Sequence, residues 1–404
     1  MMRALTRLRR AALPVAALAA LTAAAAGPPA AAAGNPGCQP VTLPVSLAAG
    51  SPAAWQVTGW LCARGNPAGR TVQVLLAGAT YGAWYWDFPA DPATYSYTRY
   101  ATAAGYATLA IDRPGTGASS HPPPAQVTLG SEAWALRQVI TALRGGATPA
   151  GRVRRIILAG HSLGSYVIMQ EAADWGGADA LILTAALHST NLAARARLRA
   201  TFYPAAADPE FARAGLPAGY DTTRPGTRGA SFYNLAYARP QVIAEDEALK
   251  DTVTTGELAT IGDVIGSPQL TRRIRVPVLL VVGQDDSLNC GTPSQGLSCD
   301  SPAAILARES AGYSPAACLQ ALVVPRAGHD INLHPGAPQW FTAAARWTAQ
   351  LTGAPSGTLP ARPCRPAAGA SGGKVAAAAP ARLASAPGAI PGRRAAAAAT
   401  GLTR

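Results

Sequence analysis

The chain has 404 residues, 49% of them hydrophobic, and a formal net charge of +13. This length suits one large globular domain with a sizeable core. The positive charge lies at the two ends, with four arginines in the first 34 residues and seven basic residues after position 351, none accompanied by an acid. The remaining region carries only +2, which argues against a basic nucleic-acid-binding groove and against a nucleic-acid partner.

The first 33 residues have the three parts of a secretory signal peptide. Four arginines precede a short alanine-rich run, and the small residues after it place cleavage near Ala33. The alternative is a membrane anchor, but the run is short, weakly hydrophobic and interrupted by Pro14. No later stretch is long and apolar enough to span a bilayer. We therefore expect a secreted protein with no stable membrane insertion.

Six cysteines, an even number, suggest disulfides in an exported protein. The expected pairs are Cys38–Cys62, Cys290–Cys299 and Cys318–Cys364. The first pair flanks two strand-like segments around a turn centred on Gly50, so a hairpin would place these cysteines opposite each other. The second pair brackets a short loop, and the third takes the two cysteines that remain. A metal site is disfavoured, because there is no Cys-x-x-Cys and no histidine near a cysteine pair.

The middle of the chain alternates apolar strand-length runs with helical patterns. The expected strands are 71–78, 106–112, 152–160, 178–187, 276–283 and 319–325. The expected helices are 129–144, 163–174 and about 338–351. Strands that are apolar throughout, rather than at alternate positions, indicate a mostly parallel central sheet with helices on both faces. An N-terminal antiparallel hairpin over 40–62 would add strands at one edge.

Two segments depart from this alternation. Nearly ninety residues separate the strands at 178–187 and 276–283. A connection this long in a compact domain is usually a functional insertion, so we expect residues 190–270 to form an inserted cap over the sheet. Residues 365–404 are rich in alanine, proline and glycine and lack periodicity, so we expect a disordered basic tail after a folded domain over 34–364.

Reactive side chains follow the carboxyl ends of the expected strands, where active sites of open α/β sheets lie. Gly160-His-Ser162-Leu-Gly164 follows a buried strand and opens a helix, so the serine hydroxyl would project from a sharp turn. His329 follows the last strand, and two adjacent aspartates at 285 and 286 follow the strand before it. A serine hydroxyl needs a base, and the base needs an orienting acid. These residues together predict a Ser-His-Asp triad.

Four motifs, "IDRPGTGAS", "GHSLG", "PVLLVVGQDD" and "AGHDINLH", resemble those of the α/β-hydrolase family over about residues 40–351. The chain looks like a secreted, esterase- or lipase-like member. The resemblance implies the α/β-hydrolase fold and the family's order of nucleophile, acid and base, here Ser162, Asp286 and His329. In relatives the acid usually stands three residues after the glycine that ends its strand, which favours Asp286 over Asp285.

The same resemblance implies an oxyanion hole formed by two backbone N–H groups, those of Ala79 and Leu163. The chain departs from many relatives at one position here, because it has Ala77-Gly78 where they have His-Gly. That histidine supports the loop, whereas the hole uses backbone donors. The departure therefore bears on the position of the loop rather than on the presence of the donors.

Other side chains near the expected site have less specific roles. The candidate substrate-binding residues are Tyr81, His161 and His188. Trp84 and Trp86 lie in an aromatic cluster near the first of these, and such a cluster is usually core. Asp112 is expected to order its own glycine-rich loop. His121 and His334 are expected to be structural or on the surface.

These observations predict a secreted serine hydrolase that cleaves a small-molecule carboxylic ester, in preference to an amide, through an acyl-enzyme. No cofactor and no metal are implied. One alternative is an acyltransferase or cofactor-free perhydrolase on the same triad, because sequence does not reveal which acceptor replaces water. A second alternative, from a different class, is a catalytically silent binding protein on a hydrolase scaffold.

Overall fold

The computed structural model describes residues 37–352, so the expected signal peptide, the expected tail and Cys364 lie outside the described residues. The strands in this range are β1 (Gly37–Val45), β2 (Trp55–Ala63), β3 (Val72–Leu76), β4 (Ala107–Ile111), β5 (Ile156–His161), β6 (Ala180–Thr184), β7 (Phe202–Pro204), β8 (Tyr220–Thr223), β9 (Val253–Thr254), β10 (Val278–Gly283) and β11 (Gln320–Val324). The helices are α1 (Pro92–Tyr95), α2 (Tyr97–Ala103), α3 (Leu129–Gly145), α4 (Leu163–Asp174), α5 (Leu192–Thr201), α6 (Arg228–Phe232), α7 (Pro240–Leu249), α8 (Thr255–Ile265), α9 (Pro268–Thr271), α10 (Pro302–Glu309) and α11 (Ala337–Thr352).

Within residues 37–352, the main sheet has eight strands in the order β1-β2-β4-β3-β5-β6-β10-β11. The strands from β4 to β11 in this order pair in parallel, whereas β1 and β2 form an antiparallel hairpin at one edge, and β2 is antiparallel to β4. The architecture predicted from the sequence is therefore confirmed. Each of the six predicted parallel strands is present, with bounds a few residues shorter than expected for most of them.

The central strands are buried on both faces, which explains their continuous apolar sequence. Every residue of β3, β4, β5, β6 and β10 is buried. In β5, Ile156 and Leu158 belong to the hydrophobic cluster that contains α3 and α4, whereas Ile157 and Ala159 belong to the cluster that contains α2 and α11. Burying one such isoleucine side chain contributes about 1.5–3 kcal/mol. Helices therefore cover the sheet on both faces, as the pattern indicated.

The edge hairpin places its cysteines in register, as the sequence predicted. Cys38 is the pairing partner of Cys62, and the two form a disulfide with a Cα–Cα distance of 4.1 Å. In β1 the side chains of Val41, Leu43 and Val45 are buried and alternate with exposed neighbours. This alternation is typical of an edge strand with one face on the core and one face in solvent.

The long connection between β6 and β10 consists of two structurally different parts. Residues 192–254, called the cap segment below, contain α5, α6, α7 and a small antiparallel sheet of β7, β8 and β9. Helices α8 and α9 follow, and α8 packs against α3 and α4 on one face of the main sheet, while α9 packs against α4. The end of the segment expected as a cap thus belongs to the layer of helices that covers the sheet.

A close backbone contact between α4 and β3 sets the position of the sharp turn at Ser162. A Cβ atom on Gly164 would lie 2.5 Å from the carbonyl oxygen of Ala77 and 2.6 Å from that of Leu76. Only glycine permits this approach, because any side chain at position 164 would push the helix away from the strand. The first turn of α4 is therefore held directly against the end of β3.

We expect Gly164→Ala to destabilise the fold, because the added methyl group meets backbone atoms that cannot move independently. The expected loss in the free energy of unfolding is about 1–3 kcal/mol or more. Gly262→Ala is the matched control, since Gly262 is also helical and a Cβ there meets nothing within 4 Å. Alanine at that position should be neutral or add up to about 1 kcal/mol. Urea unfolding measures both, and equal stabilities of the two variants would contradict the close contact.

Candidate active site

Ser162 occupies a strained backbone position between β5 and α4. Its φ is 50° and its ψ is −118°, values that a non-glycine residue adopts only when the surrounding structure enforces them. The enforcement comes from both sides of the turn, since the Ser162 N–H donates to the Thr184 carbonyl at 2.8 Å and Gly164 packs against β3. The serine side chain remains partly exposed beyond the end of the sheet.

His329 connects Ser162 to a buried carboxylate. Its Nε2 lies 2.8 Å from Ser162 Oγ, and its Nδ1 lies 3.0 Å from each carboxylate oxygen of Asp286. The carboxylate accepts from Nδ1–H, which leaves Nε2 unprotonated and able to accept the serine proton. His329 and Asp286 are 2% and 0% exposed, so water does not compete for these hydrogen bonds.

Of the two adjacent aspartates, Asp286 is the one in contact with His329. It also accepts from the Leu288 N–H at 3.0 Å and from Asn289 Nδ2 at 2.7 Å. Burial alone would raise the pKa of the Asp286 carboxyl, but the charge of His329 and these hydrogen bonds hold the pKa below its ordinary value. Asp285 is exposed and accepts from Asn234 Nδ2 at 2.8 Å.

A disulfide closes the loop that carries Asp286. Cys290 and Cys299 are bonded, as the sequence predicted, and the Cys290 N–H donates to the Asp286 carbonyl at 2.7 Å. Arg308 on α10 donates to the Asn289 carbonyl at 2.9 Å and so supports the same loop from outside. Two of the three predicted disulfides are therefore present. Cys318 is also disulfide-bonded, but its predicted partner, Cys364, lies outside the described residues.

The two residues expected to supply oxyanion donors adjoin residues at the sharp turn, Leu163 after Ser162 and Ala79 after Gly78. Leu163 is the first residue of α4, where an N–H has no intrahelical acceptor. A Cβ on Gly78 would lie 3.1 Å from Ser162 Cβ, so the chain just after β3 passes directly next to the serine. The Ala79 N–H, one residue further, donates to no acceptor among residues 37–352. Both residues expected as oxyanion donors therefore flank Ser162.

A model of the alpha/beta hydrolase family matches residues 73–344, which include the serine, the histidine and both aspartates. The chain belongs to the alpha/beta hydrolase family. No curated protein gives a match. Among solved structures, a thermophilic esterase from Thermogutta terrifontis is similar at 19% identity and a TM-score of 0.50, over 77% of this chain and 98% of that one. A soluble variant of the monoglyceride lipase from Saccharomyces cerevisiae is similar at 12% identity and a TM-score of 0.50, over 76% and 95% of the two chains.

Two residues expected to bind substrate in this alpha/beta hydrolase are instead buried in a hydrogen-bonded chain that runs through Asp330. Tyr81 is 2% exposed, and its hydroxyl donates to Asp330 Oδ2. The other oxygen of Asp330 lies 3.1 Å from Nε2 of His161, whose Nδ1 lies 3.1 Å from Thr184 Oγ1. These contacts use the polar atoms of Tyr81 and His161 within the protein, which favours a supporting role over direct contact with substrate.

The charge states in this chain follow from burial. Loss of hydration raises the pKa of Asp330 to about 6, although the charges of His329 and Arg228 act in the opposite direction. Burial and the charge of His329 together lower the pKa of His161 well below its ordinary value, so this imidazole is neutral. Because His161 is neutral, His329 is the imidazole that pairs with the Asp286 carboxylate. Asp330 therefore ties the loop that carries His329 to Tyr81 and His161, and the neutral His161 adds no second cation there.

Arg228 in the cap segment holds the loop that follows β3. Its guanidinium is fully buried, forms a bidentate salt bridge with Asp246 at 2.8 and 2.9 Å, and lies 4.1 Å from the centre of the Tyr81 ring. It also donates to Thr80 Oγ1 at 2.9 Å. The backbone of Thr80 is paired with Thr252 and Asp251 at 3.2 and 2.9 Å. The Arg228–Asp246 pair was not predicted, because its two residues are 18 positions apart and no local pattern indicates that both are buried.

The other candidates have structural partners. Nδ1 of His188 lies 2.7 Å from Glu309 and Nε2 lies 2.9 Å from Thr271 Oγ1, so His188 joins the end of β6 to α9 and α10 and both ring nitrogens are occupied. His334 accepts from the N–H groups of Gly328 and Asn234, each at 3.1 Å, and donates through Nδ1 to the Asp330 carbonyl at 2.9 Å. His334 is structural, as expected, and ties the His329 loop to the cap segment.

The remaining expectations concern a loop and an aromatic cluster. Asp112 accepts from the Ala118 N–H at 2.7 Å and so orders its own loop, as predicted, and it also accepts from the Ala83 N–H at 2.7 Å. Trp84 and Trp86 are 4% and 0% exposed and belong to the core. His121 is half-buried and lies 5.6 Å from the Tyr220 ring.

Between positions 37 and 352, no three His, Cys, Asp or Glu side chains are grouped so as to hold a metal ion. None of the helices in that part of the chain has both the length and the hydropathy of a membrane span.

Proposed function

We propose that this alpha/beta hydrolase is an exported serine hydrolase that cleaves a carboxylic ester through an acyl-enzyme on Ser162. One observation carries the proposal: the unbroken series of contacts from Ser162 Oγ to His329 Nε2 at 2.8 Å and from His329 Nδ1 to Asp286 at 3.0 Å. A chance arrangement would not combine these distances with a strained serine and a buried carboxylate. The same features argue against a catalytically silent scaffold.

The reaction proceeds in two stages. Ser162 Oγ attacks the ester carbonyl carbon while its proton moves to His329 Nε2, and the carbonyl oxygen becomes an oxyanion. The tetrahedral intermediate collapses, the bond to the alcohol oxygen breaks, and His329 gives its proton to that oxygen. Water then attacks the acyl-enzyme and loses its proton to His329. Release of the acid from Ser162 returns that proton to the serine.

The charges that develop in these steps have matching groups. The oxyanion would accept from the N–H groups of Ala79 and Leu163, and each such donor typically contributes about 3 kcal/mol to transition-state stabilisation. Asp286 holds the imidazole in the tautomer that accepts at Nε2 and stabilises the imidazolium that forms. Its pKa lies below the ordinary value, so it stays ionised at neutral pH.

The surroundings of His329 support an ester with an apolar part as the substrate. The Phe232 ring stacks on the His329 ring at a centroid distance of 5.9 Å. An open groove lies along the same stretch of the cap segment, lined by Ala230, Tyr233, Asn234, Leu235, Ala236 and Asp285. Leu235 is 60% exposed, which gives an acyl chain or alcohol group an apolar contact. The two structural neighbours described above, an esterase and a monoglyceride lipase, agree with this choice.

We also propose export, with a signal peptide over 1–33, the catalytic domain over 34–364, and a basic tail over 365–404. Two disulfides in the described residues agree with an oxidising compartment. The composition of the first 33 residues is that of a secretory signal, and the arginine-bearing tail lacks the apolar periodicity of a packed helix.

The first test is covalent labelling with a fluorophosphonate, combined with turnover of p-nitrophenyl esters of graded chain length. Ser162→Ala should abolish both labelling and turnover, because Ser162 Oγ is the one nucleophile that contacts His329 among residues 37–352. Ser165→Ala is the matched control. Ser165 lies on the same helix, and its buried hydroxyl contacts the backbone of Thr184 rather than His329. The Ser165→Ala variant should therefore retain labelling. Full ester turnover by Ser162→Ala would refute the assignment.

A second test separates the two aspartates. Asp286→Asn should lower kcat by roughly 10⁴-fold, as in comparable triads, because the amide leaves the imidazole in the wrong tautomer. Asp285→Asn should change kcat only a few-fold, since Asp285 is exposed and contacts Asn234 rather than His329. Steady-state kinetics on the best ester measures both variants. A larger loss from the substitution at 285 would reverse the roles of the two carboxylates.

A further inference from the structure

One peptide group next to Ser162 is held at its carbonyl oxygen. The peptide bond between residues 78 and 79 carries the Gly78 carbonyl and the Ala79 N–H, which point in opposite directions because the group is planar and trans. We propose that Arg113 is a positioning residue that aims the Ala79 N–H at the oxyanion by gripping the Gly78 carbonyl. This inference rests on the proposed function, and it assigns a role to a residue that touches neither substrate nor the triad.

The guanidinium of Arg113 donates to two successive carbonyls just after β3. Its Nε donates to the Ala77 carbonyl at 3.0 Å and its Nη2 donates to the Gly78 carbonyl at 3.0 Å. The guanidinium fork is planar and rigid, so two such bonds fix the orientation of both peptide groups. A rotation of the peptide bond that turned the Ala79 N–H away from Ser162 would break the second bond.

Arg113 is itself fixed from the opposite side. Its Nη1 contacts one carboxylate oxygen of Glu132 on α3 and one of Glu257 on α8. Glu257 also accepts from the Thr254 N–H at 2.6 Å, where the two residues form the capping box that begins α8. All of these side chains are buried, and Arg113 is 1% exposed. The guanidinium therefore has no second position to adopt.

The charge of this cluster is largely compensated. Burial raises the pKa of the Glu132 carboxyl, the Arg113 charge acts against this, and the neighbouring Glu257 raises it further. The guanidinium is paired with both carboxyl groups through Nη1, which contacts neither Ala77 nor Gly78. Arg113 would then act through its two hydrogen bonds. They orient the peptide, and a charged donor on the carbonyl also polarises the N–H on the other side.

The orientation matters because oxyanion donors work only within a narrow geometry, about 2.7–3.1 Å from the oxygen. Arg113→Lys keeps a positive charge near both glutamates. A lysine ammonium lacks the planar guanidinium, so the variant loses the hydrogen bond to at least one of the carbonyls of Ala77 and Gly78. Misaligning one donor should lower kcat by about tenfold to a hundredfold, less than its complete removal. KM should change less than about threefold, because the ground-state carbonyl makes little use of the hole.

A structural role alone would also lower activity, so the test compares an ester with its thionoester. Sulfur accepts hydrogen bonds weakly, so the wild-type protein should prefer the oxygen ester in kcat/KM. If Arg113 aims the Ala79 N–H, Arg113→Lys loses more on the ester than on the thionoester, and the oxygen-to-sulfur ratio falls about tenfold. Glu132→Gln is the matched control, since it alters the same buried cluster, leaves both carbonyl contacts, and should keep the ratio.

The possible results separate the proposed hydrolase function from the proposed role of Arg113. Absence of ester turnover and of labelling at Ser162 in the wild-type protein would refute the proposed function itself. An active wild type with an unchanged oxygen-to-sulfur ratio in Arg113→Lys would overturn only the role of Arg113. If Arg113→Lys does not fold, Arg113→Gln combined with Glu257→Gln removes both charges together, which buried sites tolerate better. The same fall in the ratio is expected for that double variant, and an unchanged ratio would again overturn the inference.

Discussion

The approach of Gly164 to the carbonyls of Leu76 and Ala77 is the contact on which the rest of the site depends. It brings the first turn of α4 against β3, and so forces the positive φ of Ser162 and places that serine next to the backbone at Gly78. The histidine and the aspartate of the proposed mechanism, His329 and Asp286, lie on other loops that meet Ser162 at this turn.

The backbone around this contact is held from two directions. From the core side, Arg113 joins the carbonyls of Ala77 and Gly78, just after β3, to α3 and α8 through two glutamates. From the cap side, Arg228 contacts the loop at Thr80 and the ring of Tyr81, whose hydroxyl reaches Asp330 beside the proposed base. Both arginines are buried and paired with carboxylates, which makes them rigid supports rather than mobile charges. The loop after β3 is therefore shared between the core and the cap segment.

Sequence reasoning succeeded where a local pattern determines the structure. Continuous apolar runs identified the parallel strands, and the symmetry of Cys38 and Cys62 about a turn gave the register of the hairpin. It failed where partners are distant in sequence. The Arg113–Glu257 contact spans 144 residues, and no periodicity indicates it. The pattern of α8 likewise shows a helix but not what it packs against, so it was assigned to the cap. Tyr81 and His161 were expected to face substrate because the sequence cannot reveal that Asp330 binds them both.

The most direct test of the account is a crystal structure of the protein after reaction with a fluorophosphonate, whose phosphorus takes the place of the tetrahedral carbon. The account predicts a bond from Ser162 Oγ to phosphorus and one phosphonyl oxygen within about 2.7–3.1 Å of both the Ala79 and Leu163 nitrogens. The Gly78 carbonyl should remain on Arg113 in that structure. An adduct on another residue, or a phosphonyl oxygen that faces solvent with neither amide in contact, would contradict the account.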